Sequence, residues 1–159
     1  MQELVKAIYA KFVAAGPITD SAGDPITDSS GDPIYPSGAE GSTIYTDLDG
    51  QLYYLKAPQR QDPPFAVFNV VQIVPDFYYG RRHESVLVRF NIVSSASGTN
   101  EIFNIITQLK TLFDDRILTV SGYTHFMFER ELEVGPDVEI LKRYYTHVIE
   151  YKVLIGVDR

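Results

Sequence analysis

The stretch GRRHESVLVRFNIVSSASGTNEIFNIITQLKTLF, from Gly80 to Phe113, decides the fold. In its first half Val86, Val88, Phe90 and Ile92 alternate with Ser85, Arg89 and Asn91. A period of two is that of a strand with one buried and one wet face. The run Ser94-Ser95-Ala96-Ser97-Gly98 breaks the pattern. Beyond it Ile102, Phe103, Ile105, Ile106, Leu109, Leu112 and Phe113 recur at spacings of three and four, with Glu101, Asn104, Gln108 and Lys110 between them. That is the apolar stripe of a helix laid on a sheet.

Working outward, Leu4, Ile8 and Phe12 form one stripe of an N-terminal helix, with Val5 and Val13 beside it, ending at Gly16-Pro17. Phe65 to Val74 is apolar on both faces, so this strand is predicted to be central, or to have its second face covered by another subunit. Thr43 to Thr46 and Leu52 to Lys56 flank Asp49-Gly50, a two-residue hairpin signal. Asp76 to His83 is predicted as a loop holding three aromatics and three potential cations. The last third reads as strands over Ile117 to Val120, Thr124 to Val134 and Arg143 to Val157, with a turn at Gly135-Pro136-Asp137. The expected fold is α+β: a mostly antiparallel β-sheet with two α-helices packed on one face.

The 159 residues are expected to form a single domain. One segment stands apart, at about residues 17–41. Pro17-Ile-Thr-Asp-Ser-Ala-Gly-Asp24 is repeated as Pro25-Ile-Thr-Asp-Ser-Ser-Gly-Asp32, and a shortened third copy begins at Pro33. With one apolar residue in eight it cannot offset its own ordering entropy, so it is predicted to be a flexible loop insertion. The spacing of Asp20, Asp24, Asp28 and Asp32 matches no calcium loop, and Asp47 and Asp49 lack the acidic residue that closes one.

The chain has no cysteine, so neither disulfides nor thiolate metal sites are available to it. A net charge of -7 argues against general nucleic-acid binding, which rests on clustered Lys and Arg. The start Met-Gln-Glu-Leu-Val-Lys does not read as a signal peptide, and no apolar run reaches the ~20 residues that span a bilayer. No phosphate loop, Gly-x-Ser-x-Gly elbow or His-Glu-x-x-His pair occurs. His83, His125 and His147 fall in different elements, and Asp114-Asp115 reads as a polar turn without a nucleophile beside it. Neither catalysis, a metal nor a cofactor is expected. His147, among Tyr145, Ile149, Tyr151 and Val153, reads as a packed or interface histidine.

Two features point to assembly. Phe77, Tyr78, Tyr79, Arg81 and Arg82 are residue types that carry binding energy at subunit or partner interfaces. On the strand from Thr124, strict alternation puts Glu129, Glu131 and Glu133 on one face with His125 and Met127, opposite Phe126, Phe128, Arg130, Leu132 and Val134. That acidic stripe reads as a solvated strand face, or as the wall of an enclosed aqueous channel from which DNA is repelled.

The order of elements, the Gly80–Phe113 unit, the Pro63-Pro-Phe-Ala-Val-Phe strand start and the long closing strand resemble the tail-completion, or tail-terminator, family of long-tailed bacteriophages. The resemblance spans about residues 1–15 and 43–157, and the repeat is its departure from the family pattern. It implies a virion protein of the tail and neck, assembled in the host cytoplasm as a ring, usually a hexamer. Such a ring caps the last tail-tube ring, ends tube growth and offers a surface to head-completion proteins, while DNA passes through the lumen unbound. Two alternatives stand beside it: another neck component, such as a head-closure or adaptor protein, and a non-viral domain that binds a small ligand.

Overall fold

The computed structural model describes residues 2–17, 21–22, 24–31, 42–78, 81–95, 99–118, 124–139 and 144–156. Three helices, α1 (Gln2–Ala14), α2 (Ile44–Asp47) and α3 (Thr99–Phe113), accompany five strands. The strands are β1 (Leu52–Tyr54), β2 (Phe65–Tyr78), β3 (Arg81–Ser95), β4 (Thr124–Glu139) and β5 (Tyr144–Gly156), in the order β1-β2-β3-β5-β4. Every pairing is antiparallel except β1 with β2. The α+β class expected from the sequence is the one observed.

The helices and one face of the sheet share a single core. Ala66 and Phe68 of β2, Val86, Val88, Phe90 and Ile92 of β3, and Ile149, Tyr151, Val153 and Ile155 of β5 face it, the alternation that period-two patterning dictates. Leu4, Ile8 and Phe12 of α1 and Ile102, Ile105, Ile106, Leu109, Leu112 and Phe113 of α3 close it from the other side. Four aromatic rings join α3 to three strands: Phe113 has ring centroids 5.2 Å from Phe90, 5.1 Å from Phe128 and 6.1 Å from Tyr151. Glu101 in the first turn of α3 accepts hydrogen bonds from Ser94 Oγ and from the Ser95 amide, 3.1 Å, fixing the helix start against the end of β3.

Four expectations are corrected. The hairpin predicted around Asp49-Gly50 is absent: residues 44–47 form α2, and β1 runs parallel to β2. Ile44, Leu48 and Leu52 are buried at a spacing of four, so the core rewards a helical turn there, and Thr43 Oγ1 donates to Asp47 Oδ2 across it at 2.7 Å. Asp49 and Gly50, with φ of 49° and 70°, supply the left-handed turn between α2 and β1. The loop predicted over Asp76 to His83 is instead the end of a long hairpin, paired as far as Tyr78 with Arg81. The strand predicted at Ile117 to Val120 reduces to one bridge between Ile117 and Met127, with residues 119–120 outside the described residues. Gly135-Pro136-Asp137 is no turn between strands but a register shift inside β4, which stays paired with β5 from Thr124 to Glu139. The third repeat copy, from Pro33, lies outside the described residues, and Asp24 to Gly31 are solvent-exposed.

Candidate interaction surface

No described helix covers the second face of the sheet, and that face is mixed rather than polar. Leu87 of β3, Val74 of β2 and Leu154 of β5 lie on it with Arg89, Glu150 and Lys152. The centre is held by an ion pair: Arg89 Nε lies 2.6 Å from Glu150 Oε1, and the two residues are directly opposite across β3 and β5. Glu150 is only 6% exposed, so the guanidinium partners a carboxylate largely removed from water. Beside it runs a groove of about 560 Å³ whose lining includes Gln72, Val74, Leu87, Glu131, Leu132 and Lys152.

The three glutamates read as one stripe do not share a face. Register shifts between Arg130 and Leu132, so β4 carries one extra residue opposite β5 and its parity flips there. Glu129, opposite Lys152, and Glu131 stay on the open face. Glu133 lands opposite the buried Ile149, on the helix side. Its carboxylate accepts from Lys110 Nζ of α3 and from Arg130 Nη1, each at 2.8 Å. Strict alternation along the sequence has no way to register a single inserted residue.

Glu133 thereby anchors a polar cluster that sequence reading missed. His147 is 2% exposed, the packed histidine expected, with Nε2 3.2 Å from Glu133 Oε1 but out of line for a hydrogen bond. Burial holds the imidazole below its ordinary pKa, outweighing the upward pull of the Glu133 charge. For Glu133 burial acts upward, but the hydrogen bond and charge of Lys110, then the charge of His147 and the hydrogen bond of Arg130, bring its pKa below the usual glutamate value. Asp114, read as a polar turn, accepts a 2.7 Å hydrogen bond from the Tyr151 hydroxyl and sits 3.3 Å from Arg130 Nη2. Burial and this bond push the Tyr151 phenol well up. The cluster staples α3 to β4 and β5. It presents no nucleophile beside a base, and among the described residues no group of three or more His, Cys, Asp or Glu is arranged to hold a metal.

Of the interface candidates, Phe77, Tyr78, Arg81 and Arg82 come together as the paired tip of the β2–β3 hairpin, and Tyr79 lies outside the described residues. The hairpin extends two residues past the last β3–β5 pair, His83 with Gly156. β1 covers only Ala66 to Phe68 of β2, so beyond that point the outer edge of β2 pairs with no described strand. Val71, Ile73 and Val74 on this edge are each more than 40% exposed. The bulge between Val70 and Gln72 flips the parity of β2, so Ile73, opposite the buried Val86, lies on the helix side and Val74, opposite Ser85, on the open face. The single apolar second face read from the sequence is broken there, and exposed apolar side chains stand on both sides of the free edge.

No family model and no curated protein matches this sequence. Among solved structures, a chain of the "Virion of native gene transfer agent (GTA) particle" superposes with a TM-score of 0.54 at 10% identity. The two share a fold. The match covers 76% of this chain and 99% of the virion chain, so nearly the whole of that chain is reproduced within this one.

Proposed function

We propose that this protein is a structural subunit of a phage-like virion. It caps the tail tube as a closed ring, ends tube polymerisation and joins the tail to the neck. The observation that carries this reading is the fold shared with a chain of a gene transfer agent virion along nearly the full length of that chain. The uncovered sheet face and the apolar edge of β2 support it, because a chain that acts alone has no use for such surface. A closed ring of heterologous contacts has a fixed number of sites, which suits a cap. The partners are further copies of itself, the tail-tube protein and the neck proteins, with DNA passing through the lumen, and no catalytic step is assigned. Light scattering on a sizing column tests it. A particle of about six chains of 17.9 kDa, alone or with tube ends, supports the reading, and a monomer that ignores tubes at every concentration overturns it.

A further inference from the structure

The two edges of the sheet are unlike each other, and each supplies what the other lacks. From Phe65 to Pro75, β2 carries no charged residue. Its free part, from Asn69 on, has one irregularity, between Val70 and Gln72. Natural sheets blunt their edges with charge, proline or bulges; here the bulge and Pro75 leave Gln72 to Val74 as a short, uncharged and exposed run of the kind that pairs with another chain. At the opposite side of the sheet, the outer edge of β4 is held only at its beginning. There Asp115 N donates to Phe128 O and Phe128 N to Arg116 O, at 3.1 and 3.3 Å. From Glu129 to Glu139 no described strand lies beside it. That run exposes Leu132, Val134 and Val138 among Glu129 and Glu131.

We infer that in the ring the free edge of β2 and the tip of its hairpin seat against the free edge of β4 of the next copy of this chain. The inference rests on the ring reading and names its interface. Two observations favour a second copy over another partner. Both edges belong to one sheet at opposite ends of its strand order, so joining them head to tail continues the sheet from copy to copy. The sense of the strands is right: β2 and β4 run in opposite directions within a chain, so copies that keep one orientation around an axis along the strands bring β4 antiparallel to β2. The register shifts on either side of Leu132–Val134 confine main-chain pairing to that short run and leave the rest to side-chain packing.

The chain has no cysteine, which makes the test direct. Val74→Cys, on the open face opposite Ser85, is combined in turn with a cysteine at Glu129, Glu131, Leu132 or Val134 on the same face of β4, and each double variant is oxidised where the wild type forms rings. Within one chain β2 and β4 are three strand spacings apart, about 14 Å, beyond the roughly 7 Å reach of a disulfide, so any bond joins two copies. At least one pair should give a ladder of linked chains ending at the ring, whereas Val74→Cys with Phe103→Cys, on exposed α3 surface, should not. Separately, Val71→Lys with Ile73→Lys should convert rings to monomers while shifting thermal unfolding by no more than a few degrees. If rings form but no β4 pair links and the lysine variant still assembles, the interface is wrong and the ring reading stands. If the wild type never forms rings, with or without tube ends, both fall.

Discussion

Replacing Phe113 by alanine should remove the contact that ties α3 to the sheet. The ring is fully buried and packs against Phe90, Phe128 and Tyr151 at centroid distances of 5.2, 5.1 and 6.1 Å, one neighbour from each of three strands. Burial of a phenylalanine contributes about 1.5–3 kcal/mol, and aromatic pairs add about 0.5–1.5 kcal/mol beyond area. The cavity left among rigid neighbours raises the expected loss to roughly 3–5 kcal/mol. Against a total stability on the order of 10 kcal/mol this is a large share. At about 2–4 °C per kcal/mol for a chain of this size, the melting temperature should fall by roughly 6–20 °C. Urea unfolding followed by tyrosine fluorescence and circular dichroism measures it, with Phe103→Ala as control. Phe103 sits on the same helix but is 49% exposed, so its loss should stay within about 0.5 kcal/mol. Equal effects of the two substitutions, or a Phe113→Ala loss under about 1 kcal/mol, would refute the packing argument.

Tyr151→Phe removes the hydroxyl that donates to Asp114, and should lose about 1–2 kcal/mol, with a coupling of similar size in a double-mutant cycle with Asp114→Ala. Arg89→Leu strands the nearly buried Glu150 carboxylate and should lose roughly 1–3 kcal/mol, most of it recovered when Glu150→Leu is added. His147 is kept neutral in the fold with its pKa below the ordinary 6.5, so the unfolded chain binds the extra proton first as pH falls. Stability should therefore be full above about pH 6.5 and decline below it toward the folded pKa, and His147→Asn should flatten that decline in urea midpoints taken at pH 7.5 and 5.5.

The sequence made the core legible because both of its periods are uninterrupted where they matter. Val86 to Ile92 alternate without a break, and Ile102 to Phe113 keep helical spacing, so strand, helix and buried faces all follow. Failures fall where one residue or one contact overrides the pattern. A single extra residue at Glu131 turns Glu133 toward α3, and a parallel contact with β2 recruits Leu52–Tyr54 away from the hairpin that Asp49-Gly50 announces. The Lys110–Glu133–His147 and Tyr151–Asp114–Arg130 contacts join residues up to 37 positions apart, and no local spacing marks them. The interface candidates at the hairpin tip were found by residue type alone. What residue type did not give is that residues 76–78 and 81–83 are paired strand, which turns a supposed loop into an arm.

The most direct test of the capping role is tube length. Tail-tube protein polymerised with and without a sub-stoichiometric amount of this protein, added after growth has begun, is measured by negative-stain electron microscopy. Growth should stop, with a ring seen at one end of each arrested tube and the final length set by the moment of addition. Tubes that keep lengthening at the control rate, with bare ends, would contradict the account.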